Sequence, residues 1–593
     1  MVEPAWKRRF TDPTIADLRW AASAPDRLGV VSAEGGTSQA WAWDLASGRR
    51  RQASSGGVGA EEAHVTPDGS GLVWWFDAVG DERGRWMVTP FEGGEPRPLL
   101  AGAPDGWMMG LAMAADVVAA GLSTDDGYTV LVSRDAEPAR ELVRHDRPLG
   151  VGLEWPQGTG GLSADGSLVC VRHSDHGDIL HQGLRVLDVA TGATVGELED
   201  PGLPLVSRAW SPTQPLLALV HERAGIERPA VWEPIDGNRR DLTIPDLEGP
   251  VTAIEWFPDG NALLVHHDQG ANHRLLRYDL GADEMTTLVD VPGTIDWAGI
   301  RPHDDVWFLT HSGARAPSVR NLAGDVAISI GEAPPEGVPL RALRWPNPHG
   351  QTIEGFLAAP QGPGPFPTIV SIHGGPEWHH TDGWDPTTQA YVDHGFAVLL
   401  VNYRGSSGYG TAFRESLHGN IGFPESEDLM AGLDHVIESG IADPANVFLE
   451  GWSWGGYLAM LNAGLHPGRW RAIMAGIPTG DYVAAHYESA PPLRAWDDAV
   501  MGGSPMDLPE LYRERNPMTY VSRVTAPMLI IAGEHDSRCP LGQVMTYAHA
   551  LRARNHPTEV HLYPGGHHAN AVDEKIRHVE LTMSFFGRYL SQG

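Results

Sequence analysis

Asn446–Leu465 reads NVFLEGWSWGGYLAMLNAGL. Its first five residues, Asn446-Val447-Phe448-Leu449-Glu450, form a short apolar run suited to a buried strand. Gly451-Trp452-Ser453-Trp454-Gly455 follows, a G-x-S-x-G match, and then Tyr457, Leu458, Leu461 and Leu465 recur at helical spacing. Strand, tight turn and helix is the context in which this motif carries meaning. In that context Ser453 sits at a strained corner with its hydroxyl in the open. Gly451 and Gly455 flank it because a Cβ there would meet neighbouring backbone. The helix aims free N–H groups and its positive end at the place where negative charge develops in acyl transfer. The competing reading is a glycine-rich turn with an idle serine.

Outward from this stretch, the C-terminal half alternates strand-like and helical segments. After a hairpin from Arg341–Trp345 and Thr352–Ala358, apolar runs come at Thr368–Ile372, Ala397–Val401, Arg471–Gly476 and Pro527–Ala532. Such alternation predicts a mostly parallel sheet with helices on both faces, with reactive groups on loops at the strands' carboxyl ends. His373-Gly374-Gly375-Pro376 follows one strand, and its glycines let backbone N–H groups face a substrate oxygen. An oxyanion hole is therefore expected from the amides of Gly375 and Trp454. Asp536, in Gly533-Glu534-His535-Asp536, follows another strand and can orient an imidazole; Glu534 is its rival. His567, in Gly565-Gly566-His567-His568, fills the last place in the chain order Ser…Asp…His, with His568 as competitor.

The N-terminal half reads differently. Short β-runs broken by turns recur, marked at 26, 68, 116, 165, 213, 259 and 304, at intervals of 42–49 residues. The fullest markers are Pro67-Asp68-Gly69, Ala164-Asp165-Gly166 and Pro258-Asp259-Gly260, where Asp caps a tight turn before a strand. A period of 40–50 residues with four strands per unit predicts a β-propeller, here of about seven blades. The periodicity stops near Glu332–Gly337, which reads as a linker. The expected division is an N-terminal extension over 1–20, the propeller over 21–330 and an α/β-hydrolase domain over 331–593.

The 593 residues are too many for one core, and 42% of them are hydrophobic without any long apolar run. A net charge of −33 argues against a nucleic-acid partner. Only Lys7 and Lys575 are lysines, which reads as a genome-composition signature. Cys170 and Cys539 supply no disulfide framework, and the first residues lack an apolar secretion segment. By default this predicts a cytoplasmic, non-membrane protein.

Together His373–Pro376, Asn402-Tyr403-Arg404-Gly405-Ser406-Ser407-Gly408-Tyr409-Gly410, Gly451–Tyr457, Asp536-Ser537-Arg538-Cys539-Pro540 and Gly566-His567 resemble the prolyl oligopeptidase family of serine peptidases. The resemblance is greatest to its acylaminoacyl-peptidase and dipeptidyl-peptidase-like branch. Family members usually follow the histidine with Gly; this chain has His568. The resemblance implies hydrolysis of short peptides or blocked amino acids, with the propeller restricting access to small substrates. It also admits a homo-oligomer. Some relatives hold a substrate amine with propeller glutamates, a role Glu61 and Glu62 could fill; a solvated loop is their plainer reading. Trp452 and Trp454 could shape an apolar pocket or simply pack. Arg404 and Arg538 could meet a substrate carbonyl or carboxylate, or tie loops together. Asp481–Tyr512, with Trp496, reads as a lid or pocket insertion.

Acyl transfer by Ser453, His567 and Asp536 needs no metal or organic cofactor. Three functions are compatible with the residues: a peptidase on short or N-blocked peptides, an esterase or amidase on a small aminoacyl metabolite or antibiotic, and a non-enzymatic scaffold.

Overall fold

Asp68, Asp165 and Asp259 each accept, through Oδ1, the backbone N–H two residues on, at 3.0 Å. Gly69, Gly166 and Gly260 then take φ of 76°, 69° and 71°, which turns the chain into the next strand. Where the markers at 116 and 304 lack glycine, Ala115, His303 and Asp304 are forced into the same left-handed region, at 49°, 66° and 58°. These turns are the sequence period made physical.

The computed structural model describes residues 3–135, 137–152 and 160–591. Among them, residues 17–328 form seven successive groups of four antiparallel strands, over 17–52, 64–98, 106–145, 149–198, 205–241, 251–292 and 294–328. The second and third are fused into one sheet by the pairs Arg83↔Trp107 and Gly84↔Gly106. The first group packs on the last: Leu18, Leu28 and Val30 share a core with Trp297, Trp307 and Leu309. Arg301 seals that seam by donating to Pro25 O at 2.6 Å and lying over the Trp307 ring.

The second body is an eight-stranded sheet. Its strands are β1 (Arg341–Pro346), β2 (Thr352–Ala358), β3 (Phe366–Ile372), β4 (Ala397–Asn402), β5 (Ala442–Trp452), β6 (Ile473–Gly476), β7 (Met528–Gly533) and β8 (Thr558–Tyr563). They lie in the order β1-β2-β4-β3-β5-β6-β7-β8, parallel from β4 onward. Neighbouring residues of one strand feed opposite cores, as the two-residue pleat requires. Val370 and Leu449 pack with helices α3 (Phe423–Glu438) and α4 (Trp454–Leu465). Ile369 and Phe448 pack with α2 (Pro386–Asp393) and α5 (Val572–Gly587).

Helix α1 (Ala5–Thr11) belongs to this second body, not to the strand groups that follow it. It lies on α2 and α5, with Lys7 paired to Glu580 at 2.6 Å and Arg9 to Asp393 at 2.7 Å. Arg9 also donates to the carbonyls of Pro335 and Glu336, at 3.2 and 2.8 Å. Among the described residues no helix is long and apolar enough to cross a membrane.

Candidate active site

Ser453 lies between β5 and α4 with φ 57° and ψ −119°, a left-handed corner that a non-glycine residue adopts only under constraint. A Cβ on Gly451 would fall 2.3 Å from Gly455 O, and one on Gly455 would fall 2.1 Å from Ile372 O. The two motif glycines therefore allow β3, β5 and α4 to meet at this point. The Ser453 N–H donates to Gly476 O at 2.9 Å, so the corner is bonded on its inner side and its Oγ faces outward.

Ser453 Oγ is 2.9 Å from His567 Nε2, and His567 Nδ1 is 3.0 and 2.9 Å from the two oxygens of Asp536. His567 and Asp536 are both buried. Burial works against an ionised Asp536, but His567 and the N–H groups of Cys539 and Arg538, each 2.8 Å from Oδ1, hold its carboxyl below the usual value. Glu534, the rival carboxylate, is exposed away from this array. His568, the rival imidazole, lies beside His567 in the cavity, where burial first and then the charges of His567 and Arg538 push it down to about 3.

Gly374 and Gly375 face the same space, since a Cβ on Gly374 would lie 3.3 Å from Ser453 Cβ. The Trp454 N–H opens α4 and, as one of its first N–H groups, has no helical acceptor. The Trp454 ring, by contrast, is core: it is buried against Tyr457 and Trp496. Trp452 lines the cavity, with its Nε1 donating to Glu450 at 2.9 Å.

The cavity of about 840 Å³ lies between the two bodies, and a second of about 490 Å³ adjoins it. Glu61, Arg538, His567 and His568 line both. Glu61 and Glu62 are thus not on an outer solvated loop. Glu61 is open to cavity water yet deep within the protein. Burial, then repulsion from Glu82, pushes its carboxyl up. Glu62 lines the second cavity and bonds His64 at 2.9 Å. Arg538 reaches across the cleft to Glu82, at 2.6 Å.

Arg404 is corrected as a pocket residue. Its Nε lies 2.9 Å from Asp428 and its Nη2 2.7 Å from Glu427, both on α3, so its charge is spent inside the second body. Asp481–Tyr512 folds as three helices, Tyr482–Glu488, Pro491–Met501 and Pro509–Arg515. Leu493 and Trp496 from the middle one line the second cavity.

Three residues escaped the sequence reading. Glu82 is remote from Arg538 in the chain and no local pattern pairs them. Ile477, at φ 40°, is a strained β-branched residue in the cavity wall. Lys575 lines the cavity opposite Glu61, and burial pulls its ammonium down while Glu61 opposes that. Its rarity, as one of two lysines, was a signal read only as composition. A further buried chain crosses between the bodies on the loop that carries Gly375. His379 Nε2 is 3.0 Å from Asp268, whose other oxygen is 3.1 Å from His273.

The sequence profile of the Prolyl oligopeptidase family matches residues 383–593. The acylamino-acid-releasing enzyme of Rattus norvegicus is 26% identical over 348 residues, which cover 53% of this chain and 46% of that protein. Over residues 383–593 the chain thus resembles the prolyl oligopeptidase family. The chain spans about half the length of the curated relatives it matches. Its whole fold is also shared. A puromycin-hydrolyzing peptidase of Mycobacterium tuberculosis superposes with a TM-score of 0.82 at 19% identity, covering 100% of this chain and 97% of the other. For the Pyrococcus horikoshii acylaminoacyl peptidase the TM-score is 0.72 at 16% identity, covering 99% and 98%.

Proposed function

We propose that this chain is a serine peptidase of the prolyl oligopeptidase family that cleaves amide bonds of short peptides or N-acylated amino acids through an acyl-enzyme. Ser453 Oγ attacks the carbonyl carbon while His567 Nε2 takes its proton. Asp536 holds the ring's tautomer and stabilises the imidazolium. The Gly375 and Trp454 amides receive the oxyanion, and His567 then hands its proton to the leaving amine. Water repeats the sequence to release the acid and regenerate Ser453. The single observation that carries the reading is the unbroken relay from Ser453 Oγ through His567 to Asp536 at 2.9–3.0 Å, opening into the cavity of about 840 Å³.

We read the seven four-stranded groups as the blades of a β-propeller over 21–330. It covers the hydrolase domain of 331–593 and admits only small substrates through the cleft. Residues 1–20 form an extension whose helix α1 joins the hydrolase body. In this reading Arg538 meets a substrate carbonyl, and Glu61 meets a free amine if one is present.

The test is a panel of matched chromogenic amides, with free and with acetylated amino termini, and an alkyl ester, run on the wild type and on Ser453→Ala. Cleavage of the amides by the wild type and a loss of kcat on the order of 10⁶-fold in the variant are expected. Ester cleavage alone would move the chain to metabolite chemistry. Turnover unchanged in Ser453→Ala would overturn the whole assignment.

A further inference from the structure

Strand β8 and helix α5 bring together three donor groups that the acyl-transfer reading leaves unused. Glu574 and His578 are four residues apart and so share one face of α5. His561 projects from β8 toward that face. Its Nε2 lies 2.8 Å from Glu574 Oε1, and His578 Nε2 lies 3.0 Å from the same oxygen. The three donor atoms fall within 4.8 Å of one another. His578 is buried, and its Nε2 faces Glu574 Oε1 at 3.0 Å without forming a well-directed hydrogen bond. A buried imidazole nitrogen held by such a contact gains from a better-placed partner. His561 and Glu574 are only half-buried, which leaves the cluster open on one side to a small ion.

We propose that His561, Glu574 and His578 form a binding site for a divalent transition metal of the zinc class. Two imidazoles and one carboxylate are a donor set that such ions take, with the fourth position left to water. Tetrahedral coordination at about 2.0–2.2 Å from each donor spaces the donors by little more than the 2.8 and 3.0 Å that separate Glu574 Oε1 from the two imidazoles.

A rival cluster, His173, Asp175 and Glu197, differs in a decisive respect. Arg185 already lies 2.8 and 2.6 Å from its two carboxylates, so their charge is neutralised by a guanidinium. Among the described residues no basic side chain pairs with Glu574 other than the two imidazoles.

The site bears on the cavity without sharing in its chemistry. The His578 ring packs on Trp452 at 5.2 Å and on Tyr563 at 5.0 Å, and all three line the cavity that holds Ser453. An ion at this place pins β8, α5 and the Trp452 wall together.

The experiment uses the full chain, stripped with a chelator and titrated with Zn(II) by calorimetry, and in parallel with Co(II) followed by its visible absorption. One equivalent bound, a tetrahedral Co(II) spectrum and a raised Tm are expected. His561→Ala and Glu574→Gln should each weaken that binding by about 10-fold or more. Both sit at the open edge, so they spare the packing of His578, and metal-free His561→Ala should keep wild-type turnover. His176→Ala, beside the rival cluster, should bind as the wild type does. Absence of a one-equivalent event, or one lost in His176→Ala and kept in His561→Ala, would overturn the proposal.

Discussion

On the hydrolase side of the cleft, Ser453, His567 and Asp536 are joined by hydrogen bonds of 2.9–3.0 Å, and the imidazole and carboxylate are buried. On the facing side, the strand groups offer Glu61, Glu62 and Glu82 to the cavity; Glu61 and Glu82 are balanced by charges reaching over from the other body, and Glu62 by His64 of its own. The first wall is held by backbone: a left-handed serine, two glycines that let three elements touch, and amides aimed at a carboxylate. The second wall is held by charge across a cleft. Reaction geometry tolerates little displacement, whereas selection among ligands can be set by a potential. The two walls should therefore answer to mutation in different currencies, kcat on one side and KM on the other.

The strongest way to break that contrast is Asp536→Asn. It keeps the shape and removes the charge that orients His567, so kcat should fall by about 10⁴-fold with little change in KM. Steady-state kinetics decides this, and a loss confined to KM would put Asp536 on the selecting side. Next comes Arg404→Ala, which leaves Asp428 buried without its charged partner. It should cost about 3–5 kcal/mol of stability in urea unfolding while leaving KM at its wild-type value. A raised KM would return Arg404 to the pocket.

Arg538→Gln is the matching test on the other arginine. Only its backbone N–H serves Asp536, and the side chain serves Glu82. The variant should raise KM by about 10-fold and leave kcat within about 3-fold. A collapse of kcat alone would erase the distinction between the walls.

The smallest effect concerns pH and the His379–Asp268 pair. Burial opposes a charged His379, but the hydrogen bond and charge of Asp268 outweigh it and raise the ring's pKa. Burial likewise opposes a charged Asp268, yet His273 and His379 hold it well below its usual value. A raised imidazole contributes stability that is complete below its ordinary value of about 6.5 and is lost as pH rises through the raised one. The depressed carboxylate contributes above about 3.9 and loses that contribution as pH falls through its lowered value. Asp268→Asn should therefore flatten the decline of Tm as pH rises above about 6.5, as differential scanning fluorimetry across a pH series would reveal. An unchanged slope would remove His379 as its source.

What could be read from the chain follows the reach of each interaction. The Ser453 corner, the His373–Pro376 loop and the turns at Asp68, Asp165 and Asp259 are decided within a few residues, so their motifs are legible. The relay to Asp536 and His567 is long-range, yet each member follows its own strand, which kept it visible. Arg404 and Arg538 look alike in sequence, both in glycine- or proline-flanked loops after strands. Only folding reveals that α3 brings Glu427 and Asp428 to one, while Glu82 crosses a cleft to the other. The fusion of the second and third strand groups rests on two residue pairs and leaves no trace in the period. Likewise, helix α1 has too little sequence of its own to declare which body it joins.

That helix has a mechanical consequence. The chain leaves the hydrolase body after α1, builds all seven strand groups, and comes back at Pro335 and Glu336, whose carbonyls are gripped by Arg9 of the same helix. Departure and return are thus fastened at a single corner, like the two leaves of a hinge on one pin. Away from that corner the strand groups are held to the second body by side-chain pairs that include Arg538–Glu82, His379–Asp268 and Arg414–Glu222.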